Sequence, residues 1–161
     1  MSAETVFDQI RKLLDAGGAT YRVLEHGPTR TSEESAAARG EPLDVGAKAL
    51  LLKTDEVFRL FVMCADLGLD SGALKRHLNA KKTRFATPEE LLELTGLVPG
   101  SVPPFGKPVL PFELYADDQI GVRHDRVAFN AGSLTTSIVM PFADWLRIAM
   151  PTRFAFAKIK E

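Results

Sequence analysis

The chain has 161 residues, enough for one domain spanning 1–161 with its own core, and its 45% hydrophobic and 25% charged residues are ordinary for a globular protein. A net charge of −1 excludes a whole-molecule attraction to nucleic acid, so an RNA-binding surface has to be a local patch. The single cysteine, Cys64, excludes an internal disulfide and favours a reducing compartment.

Val6, Ile10, Leu13 and Leu14 recur at helical spacing, and Gly17-Gly18 can end that helix. This segment carries acid and base among its apolar residues, unlike a signal peptide, and no later stretch approaches the ~20 apolar residues of a membrane span. A cytoplasmic protein with no membrane partner is the expectation. Tyr21–Glu25 reads as a short strand. Thr31 to Glu34 forms a capping box that opens an alanine-rich helix ending near Gly40. Ala47–Lys53 and Val57–Cys64 read as a strand pair turned at Thr54-Asp55-Glu56, the second strand apolar enough to be covered on both faces. Helices are expected over Ser71–Leu78, capped by Asp70 or Ser71, and from Pro88 to Leu94 after Thr87. Gly96 to Pro111 is dense in glycine and proline and reads as a restrained loop. Val109–Tyr115, Arg126–Asn130 and Thr136–Met140 are expected strands, and Phe142–Met150 a closing helix. Strands and helices without regular βαβ alternation predict an α+β domain built on a mixed, mostly antiparallel sheet flanked by helices.

Lys48 carries the most information. In a strand it shares a face with Leu50 and Leu52, a lone ammonium at the end of an apolar row. Such a lysine either faces a pocket for an anion or polarised oxygen, or snorkels to solvent along its stem. In Gly100-Ser101-Val102-Pro103-Pro104-Phe105-Gly106 glycine allows close approach of main-chain amides to a ligand, and the prolines fix their direction. Rigid amides of this kind can stabilise an oxyanion, although most Gly-Pro loops are only turns. Lys75, Arg76, His77, Lys81, Lys82 and Arg84 form a basic run that either follows a phosphate backbone or is a solvated helix end.

Other chemistries lack their signatures. The sequence has no G-x-S-x-G elbow, and His26, His77 and His124 have no metal-ligand spacing, so neither a metal nor another cofactor is expected. Cys64 inside an apolar strand reads as a small buried hydrophobe. Gly17-Gly18 lacks the spacing and lysine of a phosphate loop.

The ordered set Tyr21 to His26, Thr31 to Ala36, Gly46 to Leu51, Leu69-Asp70, Lys81 to Ala86, Thr95-Gly96, Gly100 to Pro104 and Asn130-Ala131-Gly132 resembles the YbaK/EbsC superfamily. That superfamily includes the inserted editing domain of bacterial prolyl-tRNA synthetase and its free-standing ProXp relatives, and the resemblance runs from Thr5 to Trp145. It implies a mixed α+β fold and metal-independent trans-editing: hydrolysis of the ester of a mischarged tRNA carrying alanine, serine, threonine or a similar small residue. It places the family's essential lysine on Lys48 and its G-x-x-x-P loop on Gly100 to Pro104, with Ser101 and Pro104 beside the substrate. His26, Thr31 and Ser137 fall on pocket positions. Ser101 replaces the family's usual second glycine and Pro103-Pro104 its usual Ser-Pro, changes that bear on loop shape and cargo. The implied partners are the acceptor 3′ end of tRNA and an aminoacyl-tRNA synthetase, and Lys75, Arg76, Lys81, Lys82 and Arg84 of the basic run are the candidate tRNA contacts. The alternative is a binding module that recognises tRNA or a synthetase without hydrolysis.

Overall fold

The computed structural model describes residues 4–160; Met1–Ala3 and Glu161, which the expected domain includes, lie outside the described residues. The helices start where the capping residues stand. Helix α1 (Val6–Ala16) opens on Thr5, whose hydroxyl takes the Asp8 amide while the Asp8 carboxylate takes the Thr5 amide. The same reciprocal box starts α2 (Ser32–Arg39) at Thr31 and Glu34, and α4 (Pro88–Thr95) at Thr87 and Glu90. Asp70 alone caps α3 (Ser71–Leu78). Helix α5 (Phe142–Ala149) buries Trp145 completely, and the indole N–H donates to the Pro104 carbonyl at 3.0 Å.

Among the described residues ten strands form three sheets. Strands β1 (Arg22–Glu25), β8 (Thr136–Pro141) and β7 (Arg126–Asn130) pair antiparallel in that order. The second sheet runs β5 (Thr83–Phe85), β2 (Ala47–Thr54), β3 (Val57–Cys64), β6 (Leu114–Asp117), β9 (Thr152–Phe154), antiparallel over the first two pairings and parallel over the last two. A ribbon of β4 (Leu67–Leu69) and β10 (Ala157–Ile159) completes the set. The architecture is α+β and mostly antiparallel, with the strands split among three sheets.

Proline accounts for one displaced strand. In place of Val109–Tyr115 the ordered pairing is Leu114–Asp117, because Pro108 and Pro111 lack the N–H groups a ladder uses. Strands β4, β5, β9 and β10 have three residues each, too few for alternation to reveal them. Helices α2, α3, α4 and α5 and strands β2, β3, β7 and β8 fall within a residue or two of their expected bounds. Covering of β3 on both faces is visible in Leu60, Phe61, Val62 and Met63, each 0% exposed.

The two larger sheets touch at one parallel bridge, Gly46 to Ala128. Gly46 suits that contact, since an added Cβ would lie 2.9 Å from Ala65 Cβ. Main-chain direction on either side can be read from single bonds. The Gly46 carbonyl accepts from the Ala65 amide, whereas Leu51 O accepts from Ala86 and the Asp55 amide donates to Lys82 O. Even-numbered residues of β2 therefore turn their main chain toward β3, and odd-numbered ones toward β5. Strand β5 pairs only with Leu52–Thr54, so Ala49 presents its N–H and C=O to an edge that β5 does not cover. On β7 the Ala131 amide donates to Thr136 O, which turns the main chains of Ala128 and Asn130 away from β8. After meeting at Gly46 and Ala128 the two edges splay apart.

Candidate active site

A pocket of about 180 Å³ opens where these edges diverge. Gly46, Ala47 and Ala49 of the β2 side and Ala128 and Asn130 of β7 form its back. Leu50, Ala65 and Val102 give it apolar surface, and the first turn of α2 with Gly100 of the loop closes the remaining sides. Arg30, Arg39 and Lys48 line it, and among the described residues no carboxylate does. It is a cationic cavity built to receive a group with negative or partial negative charge.

Lys48 is neither lone nor snorkelled. Its ammonium donates to the Leu67 carbonyl at 2.8 Å, which anchors it at the start of β4. Burial lowers its pKa, and the neighbouring ammonium of Lys160 adds to that effect; Asp66 and Glu33 oppose it. Asp66 is itself gripped by Arg123 through bonds of 2.8 and 2.9 Å, which hold its carboxyl below the usual range.

The Gly100 loop turns as expected of glycine and proline. Gly100 has φ +90, a conformation that favours glycine, and an added Cβ would meet Leu134 Cδ2 at 3.3 Å and the Arg30 carbonyl at 3.6 Å. The Ser101 and Phe105 amides are spent on Val98 O and Pro103 O. Those of Gly100 and Val102 have no acceptor among the described residues, which leaves two donors beside the pocket.

Lys48, Thr31 and Gly100 line one pocket. Thr31 contributes mainly as the cap of α2, its hydroxyl taken by the Glu34 amide at 3.1 Å. Ser101 and Pro104 do not reach the lining: the Ser101 hydroxyl donates to Val98 O at 2.8 Å, and the Pro104 carbonyl holds Trp145. His26 and Ser137 also stand outside the lining, one layer behind it. Ser137 Oγ lies 2.8 Å from His26 Nε2 and accepts from Arg39 Nε at 2.9 Å.

Arg39 and Asn130 are the residues the sequence did not single out. Arg39 Nη2 donates to Asn130 Oδ1 at 3.0 Å, and Asn130 Nδ2 donates to the Gly100 carbonyl at 2.7 Å. Burial pushes the Arg39 guanidinium down to about 10, partly countered by Glu41. In sequence Arg39 reads as a cation ending a helix, a place where arginine is favoured for its dipole alone. Asn130 had only its position at the end of an expected strand.

The basic run gathers partly. Lys75, Lys81, Lys82 and Arg84 line a separate groove with Lys53, and Asp55 and Glu56 share it. Arg76 lies outside that groove, and His77 is stacked on Phe154 with ring centroids 3.8 Å apart. Arg84 is tied to Glu90 by bonds of 2.7 and 2.9 Å. Lys53 is roughly 17 Å along β2 from Lys48 and on the opposite strand face. Cys64 is buried, and burial raises its thiol pKa. Among the described residues no three His, Cys, Asp or Glu side chains gather to hold a metal ion, and no helix is long and apolar enough to cross a membrane.

Comparison with known proteins agrees with this geometry. Residues 26–148 match the family model described as the aminoacyl-tRNA editing domain. The chain is 38% identical over 151 residues to the multifunctional Ser/Thr-tRNA deacylase ProXp-y of Escherichia coli strain K12, covering 91% of this chain and 89% of that protein. It is 35% identical over 91 residues to a proline–tRNA ligase of Shouchella clausii, covering 56% of this chain and 16% of the ligase. A crystal structure of a proposed trans-editing enzyme for prolyl tRNA synthetase superposes with a TM-score of 0.81 at 26% identity, over 98% of this chain and 99% of that one.

Proposed function

Because the chain belongs to the aminoacyl-tRNA editing domain family, we propose that it hydrolyses the ester of mischarged tRNA carrying a small amino acid, with serine and threonine as leading cargoes. The observation that carries this reading is the pocket itself: among the described residues, three cationic residues, two unengaged loop amides and no carboxylate line about 180 Å³. That volume is below the ~300–1,000 Å³ of drug-sized sites, which suits an aminoacyl group better than a whole nucleotide.

Lys48 and Arg39 hold the phosphate or sugar of the terminal adenosine by charge. The Gly100 and Val102 amides lie where the ester carbonyl oxygen gathers charge as water adds to its carbon. The tetrahedral intermediate then expels the ribose oxygen, which takes a proton and leaves free amino acid and uncharged tRNA. Among the described residues no aspartate, glutamate or histidine lines the pocket, and the neighbouring ribose hydroxyl orients the water. An aminoacyl ester is labile already, and modest stabilisation suffices. Lys75, Lys81 and Lys82 carry phosphates of the tRNA body along the separate groove.

The test is a deacylation panel of purified alanyl-, seryl-, threonyl- and cysteinyl-tRNA. Accelerated release of one or more small residues is expected. Binding without any release would replace the hydrolase by a recognition module.

A further inference from the structure

If the pocket takes an aminoacyl ester, as proposed above, it must also accommodate the α-ammonium of the cargo, and among the described residues its walls offer that group no carboxylate. Two of the side-chain acceptors are already engaged. Asn130 Oδ1 receives Arg39 Nη2 and lies 3.1 Å from the Ser137 hydroxyl; Thr31 Oγ1 receives the Glu34 amide. The Ser35 hydroxyl is buried and donates to Thr29, and Ser32 is the one lining hydroxyl with no hydrogen bond among the described residues. The main chain offers a further acceptor. Ala49 lines the pocket, and the alternation fixed by Gly46, Leu51 and Asp55 turns its carbonyl to the uncovered edge of β2. That alternation places the Ala49 amide on the same edge, and β5 stops short of both.

We propose that the Ala49 carbonyl, on the free edge of β2, accepts a hydrogen bond from the cargo's α-amino group. The enzyme thereby reads a free α-amino group. An ammonium brings three donors and a charge to a carbonyl with a spare lone pair, whereas an N-acylated cargo brings one neutral donor and extra bulk against the strand. Esters bearing a formyl group or a peptide on that nitrogen are excluded, so the site acts on aminoacyl-tRNA and spares chains already started.

The experiment compares three esters on one acceptor-stem minihelix: seryl, N-acetylseryl and the α-hydroxy counterpart of seryl. Each single-turnover rate is divided by that ester's uncatalysed hydrolysis. The enhancement is expected to fall about 10- to 100-fold for the hydroxy ester, the worth of one charge-assisted bond, and to vanish for N-acetylseryl. Ser32, the other hydroxyl at the pocket, supplies a control: Ser32→Ala keeps the discrimination ratio, and a ratio that collapsed to one would move the reading to Ser32 and overturn the proposal. A stable seryl-amide analogue of the terminal adenosine shifts the Ala49 carbonyl ¹³C resonance, and its α-hydroxy counterpart does not. Equal enhancement of all three esters, or an unmoved Ala49 resonance, overturns the proposal while leaving deacylation intact. Failure to cleave the seryl ester overturns the deacylase reading together with it.

Discussion

Arg39 and Asn130 share one hydrogen bond, 3.0 Å from Nη2 to Oδ1, and through it helix α2 is fastened to the end of β7. Because the Asn130 amide in turn holds the Gly100 carbonyl, the cation and the loop are set relative to each other. Arg39→Ala removes a pocket cation and leaves Ser137 and Asn130 short of a donor. Stability is expected to fall by about 1–3 kcal/mol, with a drop in deacylation. Arg39→Lys restores charge without the planar fork and recovers little of either. Paired melting and single-turnover assays check this; full activity in Arg39→Lys would show that charge alone suffices.

Lys48→Ala is expected to abolish deacylation, on the order of 100-fold or more, and to leave the fold intact. Burial depresses the Lys48 pKa, so the unfolded chain holds its proton to higher pH than the folded one. The buried charge is a cost to the folded state. Stability of the wild type therefore climbs as pH rises toward the ordinary lysine value of 10.5, and Lys48→Met lacks that climb and melts no lower at pH 7. Wild-type rates in the folded variant would remove Lys48 from the reaction.

Gly100→Val is expected to lose activity and stability together. The positive φ costs a non-glycine residue roughly 1–2 kcal/mol, and the branched side chain presses on Leu134 and Arg30. Pro103→Ser, which only relaxes the loop, stays within a few-fold of wild type. Hydrolysis rates beside thermal melts test the pair, and an active, equally stable Gly100→Val would separate the loop from the pocket.

If Lys81 and Lys82 meet phosphates, tRNA affinity falls with salt and Lys81→Ala/Lys82→Ala lowers the slope of log affinity against log salt by about 2. Cleavage of aminoacyl-adenosine, which has no stem, stays near wild type. Identical slopes would make the groove a solvated face.

Glu90 is held down to about 2, chiefly by Arg84 and then by the Thr87 amide. A carboxylate with a lowered folded pKa lends stability above its ordinary 4.5 and loses it as pH falls through about 2. In Arg84→Gln the Glu90 carboxyl is expected to titrate closer to 4.5, read by ¹³C NMR, and the acid midpoint of unfolding moves up.

Much of this fold was legible because its local signals agree. Thr31 and Thr87 each sit three residues before an acid, and β3 is apolar at every position but Arg59. Lys48 and Gly100 stood out for breaking rules, a charge in an apolar row and a glycine among prolines. Arg39 broke none, since arginine belongs at a helix C-terminus, and only the tertiary approach of β7 reveals its second use. Ala49 could not be found by residue type at all, because what it offers is main chain, and the direction of main chain depends on pairing.

The seam at Gly46 divides labour between two kinds of wall. Main-chain groups on one side cannot be deleted by exchanging side chains, and they address what all amino acids have in common. Leu50, Ala65 and Val102 address what distinguishes one from another, and each is a single codon away from a different size. A site partitioned in this way can be retuned from one small cargo to another by altering its gauge while its handle stays fixed, which makes this scaffold a practical starting point for editing domains of chosen selectivity.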